Sequence, residues 1–277
     1  MKQVQNSIPE NCICVVGIPF DKNSSFLKGA ALAPAQIIKS YFSDSSNLWS
    51  EKGCNLEAIE HLYDYGDLGF KIGEDEFNTL TNFVEKVVDQ NCHLICLGGD
   101  HSVTYPVIKA HAKKYNKLNI LHFDAHPDLY DTLDGNIHSH ATPFARIMEK
   151  KLAARLVQAG IRTMNGHQLE QAEKFSVEVH EMKDILNWPH EFQFDGPVYL
   201  SLDLDCLDPA FAPGVSHHEP GGMTTRQVID IIHTFKGQLI GADIVEYNPD
   251  RDINSMTSMV AAKFLKEIIA RIYEDTN

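Results

Sequence analysis

Apolar residues along this chain gather into short, nearly unbroken runs: Ile13–Ile18, Leu94–Leu97, Leu118–Phe123, Val198–Leu202 and Leu239–Val245. Strict apolar/polar alternation would mark strands with one wet face, whereas unbroken runs of this length mark strands buried on both faces. Between them lie longer stretches of helical period. One is expected over Val103–Tyr115, with Ser102 as its cap. Another is expected over roughly Ser255–Tyr273, where Val260, Phe264, Ile268 and Ile272 recur every four residues as one stripe that packs onto the sheet. Strands alternating with helices are the sequence form of a three-layer α/β/α sandwich with a mainly parallel central sheet. No linker, repeat or compositional break interrupts the pattern, so residues 1–277 read as one domain.

Four of these runs end in polar residues of one kind. HLICLGGDHS passes through Gly98 and Gly99 to Asp100 and His101, and LHFDAHPDLYD carries Asp124, His126 and Asp128 at alternate positions. PVYLSLDLDCLD presents Asp203 and Asp205 two apart, and LIGADIVE ends on Glu246. In an extended segment, residues i, i+2 and i+4 point the same way, so each segment is expected to aim its ligand-type side chains together. An isolated Asp-x-His or Asp-x-Asp is ordinarily a cap or turn. Three such segments emerging from parallel strands are different, because open α/β sheets place their ligand sites beyond those strand ends.

Two imidazoles (His101, His126) and four carboxylates (Asp124, Asp128, Asp203, Asp205) form an oxygen-rich set without thiolate, which suits a hard divalent ion such as Mn²⁺ better than zinc. Four buried negative charges call for roughly two divalent cations. Such a pair lowers the pKa of a shared water toward neutrality, and hydrolysis is the implied chemistry.

GGDHS, DAHPDLYD and SLDLDCLDPAFAPG, in this order and spacing, resemble the ureohydrolase superfamily of arginases and agmatinases, binuclear manganese enzymes that release urea from guanidino groups. NSSFLKGAALAP, SHATPFARIME, GIRT and VEYNPDRD extend the likeness from about Gly17 to beyond Asp252, nearest to agmatinases and to agmatinase-like arginases of the plant type. The resemblance implies an arginase-like fold and a homo-oligomer. It also implies that His101 and Asp128 hold one manganese and His126 and Asp205 the other, with Asp124 and Asp203 bridging. Glu246 falls on the carboxylate that grips the guanidinium, and His140 on the proton-shuttling histidine, preferred to His138 because ATPF follows it. Asp128 is the other group implied to pass a proton to the departing amine. Animal arginases hold the substrate α-carboxylate with Asn, Ser and Thr, where this chain has Leu129, Tyr130 and Asp131 and then TLDGN. Tyr130, Asp131 and Asp134 are therefore expected to favour the free ammonium end of agmatine, giving putrescine and urea. Arginine, hydrolysed to ornithine and urea, is the alternative, followed by other guanidino compounds.

The remaining composition narrows the partners. A formal net charge of −14 and the absence of a basic run argue against nucleic acid and suit a small cationic substrate. No stretch of about 18 apolar residues or signal-like N-terminus is present, so a cytoplasmic protein off the membrane is expected. The six cysteines (Cys12, Cys14, Cys54, Cys92, Cys96, Cys206) read as reduced core residues, with Cys206 turned away from the site face. His122 is expected to turn away from Asp124 into a packing or supporting role. His217 and His218 follow PGVS, in a loop that the resemblance implies lies near the substrate entrance, where they could contact substrate. Two rivals fail on the same residues: a metallophosphoesterase would bring basic side chains and an Asn-containing ligand motif, and a silent binding relative would have lost ligands.

Overall fold

The computed structural model describes residues 1–4 and 7–276 and has a nine-stranded sheet at its centre. The strands are β1 (Lys2–Gln3), β2 (Ile13–Gly17), β3 (Leu62–Asp67), β4 (His93–Leu97), β5 (Asn119–Phe123), β6 (Arg155–Ile161), β7 (Glu178–Glu181), β8 (Gln193–Asp203) and β9 (Lys236–Val245). Their order is β1-β3-β2-β4-β9-β8-β5-β6-β7, and every pairing is parallel. The helices are α1 (Ala33–Tyr41), α2 (Glu76–Asp89), α3 (Thr104–Lys114), α4 (Pro143–Glu149), α5 (Gly166–Phe175), α6 (Thr225–Thr234) and α7 (Met256–Thr276).

Two apolar layers explain why the strands read as unbroken runs. Within β5 and β8, Leu121, Phe123, Val198, Leu200 and Leu202 point into a layer shared with Ile37 of α1, Ile232 of α6 and Phe264 and Ile268 of α7. Ile120 and Tyr199 point the other way, into a layer with Leu80 and Val84 of α2, Ile108 of α3 and Ile147 of α4. Successive side chains thus alternate faces as strand geometry demands, but both faces are dry. Each fully buried aliphatic side chain contributes roughly 1.5–3 kcal/mol. No helix of the described residues is long and apolar enough to cross a membrane.

Three sequence expectations shift. Strands β1, β3, β6 and β7 were not anticipated: β3 interrupts its run with Asp64 and Asp67, and β7 reads EVHE and is only half-buried. The start of the third helix also moves. Asp100, not Ser102, caps the turn that precedes α3, its carboxylate accepting the Ser102 N–H at 3.1 Å, and the α-helix begins only at Thr104. An ionised carboxylate is the stronger acceptor for a first-turn amide. The stripe on α7 is wider than one row, because Leu265 and Ile269 are buried beside Phe264, Ile268 and Ile272, while Val260 is only partly covered.

Candidate active site

Four strands adjacent in the middle of the sheet, β4, β9, β8 and β5, carry the polar strand exits, so residues distant in sequence meet at one end of the sheet. After β4 the backbone squeezes past the loop that follows β2. A Cβ on Gly99 would stand 1.6 Å from the Phe20 carbonyl oxygen, which accepts the Asp100 N–H at 2.8 Å. Asp100 is fully buried, accepts the Asn23 N–H at 2.9 Å, and is pushed up to about 6 by burial and by Glu246 nearby.

His101 follows, and its tautomer can be read from its partners. Ser201 Oγ donates to the buried carboxylate of Asp243 at 2.7 Å, so its single proton is used, and it must accept from His101 Nε2 at 3.0 Å. That leaves His101 Nδ1 as a bare lone pair, buried and without a hydrogen-bond partner. It faces Asp124 Oδ2 at 3.2 Å, Asp128 Oδ2 at 3.1 Å and Asp203 Oδ2 at 3.2 Å. A lone pair aimed at three carboxylate oxygens is repulsive unless a cation lies between them. Without a metal a proton must be shared among these groups: burial opposes a second proton on the ring, but Asp124, Asp128 and Asp203 raise the imidazole well above its usual range.

Strand β5 stops at Phe123, and the DAHPD segment converges by a turn rather than by strand alternation. Asp124 Oδ1 accepts the His126 N–H at 2.6 Å, and Asp128 sits in the left-handed region at φ 50°. Asp124 stands between the two imidazoles, with Oδ2 toward His101 and Oδ1 3.4 Å from His126 Nδ1. His126 Nδ1 also lies 3.0 Å from Asp205 Oδ2. Asp203 closes β8 and accepts the Asp205 N–H at 2.8 Å, while Asp205 accepts the Ala125 N–H at 3.1 Å. Two donor groups sharing Asp124 result, one around His101 and one around His126 and Asp205. Burial raises Asp203, Asp205 and Asp128, the last to about 6, and neighbouring carboxylates add to each shift. The residues present fit a pair of hard divalent ions.

His122 is not turned away from Asp124: its Nε2 lies 2.9 Å from Asp124 Oδ2, because residues two apart on a strand share a face. It is nevertheless poorly placed as a ligand. Gln158 Nε2 donates both to the Pro127 carbonyl at 2.7 Å and to His122 Nδ1 at 3.0 Å, so the proton of His122 is on Nε2 and directed at Asp124. Burial depresses its pKa to about 4, so the ring is neutral.

At the end of β9, Glu246 adopts φ 61° and turns its carboxylate inward. Its Oε1 accepts the His101 N–H at 2.9 Å and lies 2.9 Å from His140 Nδ1, while His140 Nε2 is 2.8 Å from Ser25 Oγ. Burial alone would depress His140, but Glu246 overrides it and the imidazolium persists up to about 9. His138, the competing histidine, stacks on Tyr105 and lines a different cavity.

A cavity of about 300 Å³ opens over these groups. Asp128, Asp203, Asp205, His126, His140 and Glu246 form its floor and wall, and Tyr130 lines it, its hydroxyl accepting from Asn165 Nδ2 at 2.6 Å. Asp131 does not reach it. Its carboxylate is half-exposed and engaged by Gln171, with Arg146 at 3.9 Å and His167 at 3.7 Å, because the chain after Tyr130 leaves the cavity. Asp134 is exposed and also lies outside. His217 lines the wall, its ring 5.2 Å from that of His140, whereas His218 folds back onto the Pro213 carbonyl at 2.7 Å. Cys206 is buried in the apolar layer away from the site, as expected.

Sequence reasoning missed Ser25, Thr163, Gln168 and Glu219, all of which line the cavity. Ser25 and Thr163 lie in NSSFLKG and GIRT, stretches marked by resemblance without a role. Arg162 of GIRT spends its guanidinium on main-chain carbonyls, including Asp205 at 2.7 Å and Glu219 at 2.9 Å, and so holds two cavity segments in place.

The chain matches the Arginase family over residues 11–270. It is 42% identical to "Arginase 1, mitochondrial" of Oryza sativa subsp. indica, covering 94% of this chain and 81% of that protein. Against the "Agmatinase" of Bacillus anthracis the identity is 31%, with 95% and 92% covered. Among solved structures it is similar to the arginase from Medicago truncatula, with a TM-score of 0.89, 39% identity, and 95% and 88% of the two chains covered.

Proposed function

The chain belongs to the arginase family, and from that premise we propose that it hydrolyses the guanidino group of arginine, arginine and water giving ornithine and urea. The reading includes two Mn²⁺ per chain, residence in the cytoplasm and assembly into a homo-oligomer. The observation that carries the chemistry is the bare His101 Nδ1 aimed at three carboxylates within 3.2 Å, beside a cavity whose wall is Glu246.

His101 and Asp128 would hold one ion and His126 and Asp205 the other, with Asp124 and Asp203 shared. When bound, the ions make hydroxide available near neutral pH and offset the carboxylate charge. Glu246 has Oε1 taken by the His101 N–H and His140, which leaves Oε2 to accept a guanidinium N–H in a charge-assisted bond. His140, kept protonated by Glu246 and held on its other nitrogen by Ser25, gives its proton to the amine nitrogen as that nitrogen leaves. Asp128, which also lines the cavity, is in this reading the second group to pass a proton to the departing amine.

Arginine is preferred to agmatine for two reasons. The rice arginase is more similar to this chain than the Bacillus agmatinase. The acid expected to repel an α-carboxylate, Asp131, faces out of the cavity, and Tyr130, Thr163 and Gln168 offer it neutral hydrogen-bonding side chains beside the single further acid, Glu219. The test is urea release by manganese-loaded protein with arginine, agmatine and a guanidino acid. Arginine should lead agmatine in kcat/KM by about tenfold or more, and Asp131→Asn should leave the ratio within about twofold. A lead for agmatine overturns the substrate assignment.

A further inference from the structure

Cys12 and Cys92 lie 80 positions apart in sequence, and their Sγ atoms are 2.7 Å apart. They sit just before β2 and β4, at the end of the sheet opposite the cavity, and hydrolysis uses neither. The parallel register explains the meeting. Ile13 pairs with His93, and the His93 N–H donates to the Cys12 carbonyl at 2.7 Å, so one step back the two cysteines are lateral neighbours. Adjacent strands are spaced by about 4.8 Å, inside the roughly 4.4–6.8 Å between α-carbons that a disulfide spans. The Cys92 sulfur is already held in place by the Cys12 N–H at 3.4 Å and by the Pro9 carbonyl at 2.9 Å. Both thiols are buried, and their chain neighbours Glu10, Asn11 and Asn91 are exposed. All six cysteines are free, and Cys12–Cys92 is the pair whose sulfurs lie within hydrogen-bond distance among the described residues.

We propose that Cys12 and Cys92 are an oxidisable pair that a small peroxide closes into an intramolecular disulfide. Cys92, whose proton the Cys12 contact helps to remove, attacks one oxygen of hydrogen peroxide. The O–O bond breaks, a sulfenic acid forms on Cys92, and the departing hydroxide takes a proton to leave as water. Cys12 Sγ then attacks the Cys92 sulfur, the S–O bond breaks, and a second water carries away the hydroxyl with the Cys12 proton. Two thiols are oxidised by two electrons and one peroxide is reduced to two waters. The bond closes the chain segment that holds α1, α2 and the Ser25 loop, and so restricts the unfolded chain while leaving the folded backbone in register.

The purified full-length chain is treated with dilute hydrogen peroxide, alkylated, digested without reductant and analysed by mass spectrometry. The expected result is one crosslinked peptide joining Cys12 to Cys92, a fall from six free thiols to four, a thermal midpoint raised by about 5–10 °C, and full reversal by a dithiol. In Cys12→Ser the crosslink should vanish and Cys92 should be trapped as sulfenic acid by a dione probe. Crosslinks through other cysteines, over-oxidation of Cys92 in the unmodified chain, or six thiols surviving peroxide in folded protein would each overturn the proposal.

Discussion

His140 Nδ1 lies 2.9 Å from Glu246 Oε1, joining the loop after β5 to the end of β9 through a buried ion pair. The same oxygen accepts the His101 main-chain N–H, so one carboxylate ties together the His140 ring, the His101 main chain and the cavity wall.

Replacing that carboxylate should therefore affect every substrate alike. Glu246→Gln should lower kcat/KM for both arginine and agmatine by about 10²-fold or more, roughly 3 kcal/mol of transition-state stabilisation. A selective loss for one substrate in steady-state urea assays would show that Glu246 reads the tail of the substrate instead.

The two histidines of HSHATPF should separate cleanly. His140→Ala should depress kcat by about 10²–10⁴ with metal content unchanged. His138→Ala, which alters a ring stacked on Tyr105 in another cavity, should change kcat by less than about tenfold. The reverse ranking would assign proton transfer to His138 instead.

Metal removal should be felt as lost stability as well as lost activity. Chelation should lower the thermal midpoint, and Asp124→Asn should reduce manganese stoichiometry below two per chain more severely than Asn at any exposed Asp, because Asp124 faces both imidazoles. Elemental analysis giving a single zinc in active protein would contradict this.

The metal-free protein should lose stability toward alkaline pH. His140 titrates at about 9 when folded against 6.5 as a model group, so its contribution is complete below about 6.5 and is lost as pH rises through about 9. The difference amounts to about 3 kcal/mol at most. Urea denaturation between pH 6.5 and 9.5 should show the fall, to which His101 and His126, also raised by neighbouring carboxylates, add, and Glu246→Gln should make it shallower without abolishing it. An unchanged midpoint across that range in the unmodified chain would refute it.

Gly99→Ala should be among the most damaging small substitutions. Its Cβ meets the Phe20 main-chain oxygen, which cannot rotate away, so the β4 exit must shift and move His101 with it. The expected signs are a loss of roughly 3 kcal/mol or more and weakened manganese binding. Wild-type metal affinity in this variant would mean that the loop tolerates the displacement.

The layered fold and the six convergent donors were legible because each rests on local pattern: unbroken apolar runs for strands dry on both faces, and ligand-type residues at strand exits. Orientation was less legible. The DAHPD segment turns instead of running on, and Asp131 leaves the cavity after Tyr130, both depending on where β5 stops at Phe123, whereas the shared face of His122 and Asp124 follows from their spacing of two. Ser25, Gln168 and Glu219 reach the cavity from loops or helix ends remote from the ligand motifs, and residue type alone does not distinguish them from solvent-facing polar groups.

The strand order has a further consequence. β9 and β8 lie between β4 and β5, so the first half of the chain supplies His101, Asp124, His126, Asp128 and His140, and the second half inserts Asp203, Asp205 and Glu246 between them. Neither half owns a workable centre. Cut between α4 and β6, this protein should give two inert pieces whose recovery of activity on mixing would report that the middle of the sheet had zipped together.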